Sequence, residues 1–258
     1  MILIIDFGSQ FNQLIARRVR ECRVYCQIEA PSITAERIKA LNPEGIILSG
    51  GPSSIYEKNS PRLDPGVFDL GIPILGICYG MQFMVDALGG KVRQARKREY
   101  GFAELEVRRK DGILASIPER TQVWMSHGDS IAELPKGFAA GAVTDNTPVA
   151  AAEDAARRFY GLQFHPEVEH TPKGKQILKN FLFDVCRCKR SWTMKSFAQD
   201  AMDEVRRSVG DKRVILGLSG GVDSSVTALL IHKAIGRNLT CIFVDNGLLR
   251  KNEAQKLK

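Results

Sequence analysis

Between a short apolar run and an amphipathic stretch, Gly76-Ile77-Cys78-Tyr79-Gly80 places one cysteine inside a pair of glycines. A strand, a sharp turn and a helix in that order make a nucleophile elbow, here with Cys where the motif more often holds Ser. The glycines let the backbone turn sharply without a Cβ clash. The helix aims its N-terminal N–H groups and positive dipole end at the sulfur, which favours thiolate. A cysteine acting only as a small buried hydrophobe would need no glycine on either side.

A thiol nucleophile needs a base, and the base needs a group to orient it. In Gln163-Phe164-His165-Pro166-Glu167, His165 follows a predicted strand and has a carboxylate two residues on, so Cys78, His165 and Glu167 make a triad. His127, in Ser126-His127-Gly128-Asp129, competes for the role of base; spacing prefers His165 without deciding between them. The run 165–170 lacks the HExxH spacing of a zinc protease. An oxyanion hole needs two backbone N–H donors. Tyr79, after the nucleophile, supplies one, and the loop Leu48-Ser49-Gly50-Gly51-Pro52 allows the close backbone approach required of the other.

A second cluster, Gly217-Leu218-Ser219-Gly220-Gly221-Val222-Asp223-Ser224-Ser225, stands between another predicted strand and helix. Small residues over a first helical turn form a nest of N–H groups suited to an anion. The Lys of a Walker A loop is missing, and the spacing is not GxGxxG. Asp223 among three serines, with a further strand ending in Val244-Asp245-Asn246-Gly247, reads as phosphate binding with Asp223 as a magnesium ligand.

These groups need a sheet to hold them. Short apolar runs at 1–7, 24–28, 45–48 and 72–76 alternate with amphipathic segments, the pattern of a mainly parallel sheet covered by helices. Ser9 is expected to cap a helix whose apolar face holds Phe11, Leu14, Ile15 and Val19, and a helix over 81–88 stops at Gly89-Gly90. Strand-like runs at 102–107, 121–125 and 158–162 point to an antiparallel extension. Thr171-Pro172 is expected to open a helix that closes the first domain over 1–188. A basic, aperiodic stretch at 186–191 reads as a linker. Beyond it, within 189–258, come a helix (195–209), a strand (214–218), a helix (224–235), a strand (240–244) and a helix start at Asn252. That is one βαβ unit with a leading helix, too little for an independently closed domain.

With 44% hydrophobic and 26% charged residues, 23 Gly, 11 Pro and 6 Cys among 258, the chain is excluded from the collagen, disordered and disulfide-scaffold classes. No apolar stretch approaches the roughly 18 residues of a membrane span, and the N-terminus lacks the features of a signal peptide. A cytoplasmic protein with reduced thiols and no membrane partner is expected. No CxxC pair marks a zinc site. The net charge of +8 is scattered as solvated faces, so no nucleic-acid partner is expected.

The segments GICYGMQ, LSGGP, MSHGD and QFHPE resemble those of class I (triad) glutamine amidotransferases, and SGGVDSS resembles the loop of N-type ATP pyrophosphatases. With the opening DFGSQ, their order along the chain resembles the glutamine-hydrolysing GMP synthase family. The resemblance implies an α/β fold: an open, mainly parallel sheet with helices on both faces and an antiparallel extension, then a partial Rossmann-like βαβ unit. It implies that Cys78 attacks the glutamine side-chain amide, His165 moves the proton to departing ammonia and Glu167 orients His165. Gly51 and Tyr79 match oxyanion positions. Gln82, Ser126, His127, Gly128 and Asp129 match glutamine-holding positions, which makes His127 a pocket residue and not the base. Ser219, Gly220, Gly221, Val222, Asp223, Ser224 and Ser225 match the loop that holds the ATP pyrophosphate while XMP is adenylylated. ATP and Mg, with no prosthetic group, and a homodimer formed through a more C-terminal region are implied as well. Members of that family continue past the equivalent of Lys258, so only the glutaminase half is expected of this chain. Phe11-Asn12 departs from the Tyr and small polar residue expected there. A free-standing glutaminase subunit would carry no SGGVDSS loop, and a silent docking module would require an unreactive Cys78.

Overall fold

The computed structural model describes residues 1–245, without the side chains of Arg96 and Lys97. The chain divides into two compact units, Met1–Ser191 and Trp192–Lys258, against the boundary at Cys188/Lys189 expected from sequence.

In the first unit, uninterrupted apolar runs become strands buried at every position: β1 (Ile2–Ile5) and, after β2 (Cys26–Glu29), β3 (Gly45–Leu48) and β4 (Ile74–Ile77). Such strands must be covered on both faces. Ile2 and Ile4 pack with Ile15 and Val19 of α1 (Asn12–Glu21), while the alternate residues Leu3 and Ile5 pack with Ile38 of α2 (Ala35–Leu41) and Met84 of α3 (Tyr79–Ala87). The antiparallel extension consists of the long strands β5 (Lys91–Val107) and β6 (Arg120–Glu133), with β7 (Ala139–Val143) and β8 (Ala151–Asp154). The chain then returns to the parallel part as β9 (Phe159–Leu162). The sheet order is β2-β1-β3-β4-β9-β8-β7-β5-β6. Strand β9 therefore lies parallel and hydrogen-bonded to β4, with Ile77 opposite Leu162. That adjacency sets the end of β9 beside the end of β4.

Three local expectations are corrected. Ser9 does not cap α1: its Oγ accepts the Phe11 N–H at 3.1 Å inside the preceding turn, and the helix begins at Asn12 without a side-chain cap. Thr171-Pro172 does not open a helix: residues 171–173 form a turn in which the Gly174 N–H donates to the Thr171 carbonyl at 2.9 Å, while the Thr171 hydroxyl donates to the His165 carbonyl at 2.7 Å. Instead α4 (Gly174–Lys179) starts later and continues as a π-helical turn, Asn180–Val185, where Asn180 Nδ2 donates to the carbonyls of Ile113 and Ala115. The stretch 186–191, expected as a linker, instead begins with Cys186 and Cys188 buried in the first core.

In the second unit, a reciprocal Thr193–Ser196 capping box starts α5 (Met194–Val209). Then β10 (Val214–Leu218), α6 (Val222–Ile235) and β11 (Leu239–Phe243) form a parallel βαβ unit. No residue of α5 or α6 is buried, and Ile215, Val226, Leu229 and Ile242 are exposed. The expected helix at Asn252 and the Asn246-Gly247 turn lie outside the described residues. Among the described residues, no helix is long and apolar enough to cross a membrane.

Candidate active site

Cys78 joins β4 to α3 with φ +50° and ψ −106°, a conformation costing about 1–3 kcal/mol that persists only where its surroundings enforce it. The flanking glycines serve close approach. A Cβ on Gly76 would lie 2.6 Å from Met81 N, and one on Gly80 would lie 2.3 Å from Leu48 O. The strain thus sits on the cysteine itself, packed between a strand and the first turn of a helix. Cys78 Sγ lies 3.5 Å from the Ser126 carbonyl and receives a Gln163 Nε2–H at 3.7 Å.

His165 follows β9 and is 4% exposed; a Cβ placed on Gly50 would lie 3.0 Å from His165 Cε1 and 3.7 Å from Cys78 Cβ, so the ring and the cysteine flank the same glycine. On its other side, Nδ1 donates to Glu167 Oε1 at 2.7 Å. Glu167 is fully buried, and its Oε2 has no partner among the described residues. Burial alone would depress the His165 pKa, but the Glu167 carboxylate and the neighbouring Cys78 outweigh it and hold the pKa at about 10. The ring is seated by Phe11, edge-on at 5.4 Å, and by the glycine loop, where a Cβ on Gly50 would come within 3.0 Å of His165 Cε1. The Phe11 that departed from the resemblance is thus one wall of the histidine's seat.

His127 is equally buried but is turned elsewhere. Its Nδ1 donates to the Asp129 carbonyl at 2.8 Å and its Nε2 lies 3.4 Å from Glu99 Oε2. Burial lowers its pKa, with the Asp129 carbonyl and the Glu99 carboxylate opposing that shift. The two histidines thus have different partners, the Glu167 carboxylate for His165 and the Asp129 carbonyl and Glu99 for His127.

A pocket of about 800 Å3 opens over Cys78, lined also by Gly51, Tyr79, Gln82, Ser126, His127, Gly128 and Asp129. Tyr79 is the first residue of α3, where an N–H has no acceptor within the helix. Gln82 is buried; its Nε2 donates to the Asp129 carbonyl at 3.1 Å and to Gln163 Oε1 at 3.2 Å. Ser54 Oγ donates to Asp129 Oδ2 at 2.5 Å. The sequence reading missed Glu99, Gln163, Ser54, Arg98 and Tyr100. Gln163 lay inside a quoted motif, whereas Glu99, buried and bonded by Thr144, Asn146 and Thr147, sat in what read as a charge run.

In the second unit, Gly221 precedes α6, and Gly220 takes φ +81°. Ser224 Oγ receives the Ser219 N–H at 3.3 Å, and both Ser224 and Ser225 donate to the Gly221 carbonyl. Asp223 is exposed in the first helical turn. Among the described residues no cluster of three or more His, Cys, Asp or Glu side chains forms here, so Asp223 would fit Mg only with waters and substrate oxygens as its other ligands.

A parallel sheet that delivers an elbow cysteine against a histidine–carboxylate pair places the first unit among the α/β amidotransferases. The family model for glutamine amidotransferase class-I matches residues 3–185, and the chain belongs to that family. A second model, NAD synthase, matches residues 195–255. Relatives named GMP synthase (glutamine-hydrolyzing) include those of Heliobacterium modesticaldum, 53% identical over 256 residues, and Bacillus subtilis, 54% identical over 255 residues. Each match covers 99% of this chain, which spans about half the length of these relatives (50% of each). Among solved structures, a protein from Thermoplasma acidophilum described as one subunit of a GMP synthase is similar at TM-score 0.66 and 32% identity, over 72% of this chain and 93% of that one. A glutamine amidotransferase from Thermotoga maritima, at 20% identity and TM-score 0.53 over 90% and 89%, shares the fold.

Proposed function

We propose that the first unit hydrolyses glutamine to glutamate and ammonia; the observation that carries this reading is that Cys78 lines the pocket while the Glu167-bonded His165 lies behind it, both packed on the same face of Gly50. With the one proton that the Cys78 thiol and His165 share carried on the ring, Cys78 Sγ attacks the side-chain amide carbon of glutamine, forming a C–S bond and an oxyanion that accepts from the N–H groups of Gly51 and Tyr79. His165, held as imidazolium by Glu167, gives its proton to the departing nitrogen as the C–N bond breaks and ammonia leaves. The resulting glutamyl thioester is attacked by water, with His165 as base, which frees glutamate and restores the thiol. Gln82, Ser126, His127, Gly128 and Asp129 hold the substrate: the buried Gln82 and His127 side chains fix the Asp129 backbone, leaving the Asp129 carboxylate to face the amino group of glutamine.

The ammonia serves the amination of XMP to GMP. The names of the relatives support this, as does a second unit resembling an ATP-using domain. Residues 219–225 hold the pyrophosphate of ATP; Asp223 would hold Mg there, and the ion would neutralise phosphate charge. XMP is adenylylated with release of pyrophosphate, and ammonia displaces AMP. A cytoplasmic setting agrees with six free cysteines. Glutamate release from glutamine, measured for the native chain and for Cys78→Ser, tests the first step. Undiminished release by Cys78→Ser would refute it.

A further inference from the structure

Strand β6 is the last strand of its sheet, so one side of it has no neighbouring strand. At Trp124 that open side is occupied by the catalytic segment. The His165 N–H donates to the Trp124 carbonyl at 3.0 Å. The Trp124 N–H donates to Thr171 Oγ1 at 3.1 Å, and the same hydroxyl donates to the His165 carbonyl at 2.7 Å. A single buried hydroxyl, 3% exposed, thus closes a ring that satisfies both backbone groups of His165 and both of Trp124. Two residues along the same strand, the carbonyl of Ser126 faces Cys78 Sγ. Residues i and i+2 of a strand present their backbone groups to the same side at a fixed rise. One edge therefore meets the histidine at Trp124 and the thiol at Ser126.

We infer that Thr171 is a positioning residue of the glutaminase reaction: its hydroxyl fixes the backbone of His165 to the open edge of β6 and so sets the imidazole at its working distance from Cys78. The inference rests on the assignment of Cys78 and His165 proposed above. Other contacts tether the neighbouring chain without bonding to His165. The His170 ring stacks on Trp124 at 4.5 Å, and Gln122 Nε2 donates to the His170 carbonyl at 3.1 Å. Among the described residues, only the Thr171 hydroxyl reaches the His165 carbonyl. No substrate contact is assigned to it, since Thr171 does not line the pocket.

The test compares Thr171→Val, which keeps the shape and loses the hydroxyl, with Thr171→Ser, which keeps the hydroxyl, both in the full chain. Thr171→Val should lower kcat by about 10- to 100-fold, the loss expected of a misplaced catalytic group. Its KM for glutamine should stay within about twofold, since the pocket is untouched, and Thr171→Ser should recover most of the rate. Alkylation of Cys78 by iodoacetamide at pH 7, which needs no turnover, should slow in Thr171→Val and recover in Thr171→Ser. If Thr171→Val does not fold, Thr171→Ala against Thr171→Ser makes the same comparison. Wild-type kcat and alkylation rate in the hydroxyl-free variant would overturn the inference, as would equal damage in the serine variant. If Cys78→Ser and His165→Ala are inactive while Thr171→Val is normal, this inference alone fails. If Cys78→Ser still turns over glutamine, the assignment beneath it fails, and the alkylation rates still decide whether Thr171 sets the thiol–imidazole geometry.

Discussion

The Cys78 N–H donates to the Leu162 carbonyl at 2.7 Å, extending the β4–β9 ladder one residue past the end of β4. This bond fixes the height of the elbow against the strand that delivers His165. Cys78 and His165, proposed as nucleophile and base, therefore follow the ends of adjacent parallel strands, Cys78 directly after β4 and His165 three residues after β9.

Of the six cysteines, Cys78 alone should lose glutamine hydrolysis on alkylation. It opens into the pocket, while Cys22, Cys26, Cys186 and Cys188 are buried and Cys241 is exposed in the second unit. A glutamine-analogue electrophile followed by peptide mapping should find the inactivating adduct on Cys78. Complete inactivation with label only on Cys241 would contradict the assignment.

His165→Ala should cost about 10²- to 10⁴-fold in kcat, the usual worth of proton transfer by a placed group. Glu167→Ala should cost less, because a base remains though less well oriented. His127→Ala should act mainly on KM, since its Nδ1 holds the Asp129 carbonyl at the pocket wall. Steady-state kinetics of the three variants check this, and a larger kcat loss in His127→Ala than in His165→Ala would reverse the roles.

The His165 pKa of about 10 stands above its ordinary 6.5, so the native state binds this proton more tightly than the unfolded chain. The associated stability is complete below about pH 6.5 and is lost as pH rises through about 10. The titratable groups facing the ring are Glu167, Cys78 and His127. Thermal melts should show Tm falling more steeply between pH 7 and 10 in the wild type than in Glu167→Gln, which lacks the attracting charge. Parallel curves would show that the Glu167–His165 pair contributes nothing to stability.

Gly50→Ala should reduce kcat by about tenfold, a smaller displacement than loss of the base. The new methyl would press on His165 Cε1 from 3.0 Å, and the ring, held by Glu167 and Phe11, has little room to yield. Gly71→Ala, where a Cβ meets no atom within 4 Å, is the control for a backbone change alone. Its strain at φ +68° should lower Tm without changing kcat. An unaffected kcat in Gly50→Ala would show that the loop does not seat the ring.

The sequence by itself determined the elements and the chemistry they offer. Unbroken apolar runs such as Ile2–Ile5 are strands whatever their neighbours, and a cysteine between glycines at a strand–helix junction is an elbow, because these patterns rest on local sterics and on period. Partnership between distant residues was decided only in three dimensions. Local spacing leans to His165 over His127 without deciding between them; the fold adds that β9 returns to lie beside β4 while His127 faces Glu99. Glu99 gave no signal at all, since its burial depends on hydroxyls and an amide at Thr144, Asn146 and Thr147 that only strand pairing brings to it. Thr171 read as the start of a helix and became instead the clasp on His165. A hydroxyl bonds to whichever backbone group the fold brings within reach, and sequence spacing does not carry that information.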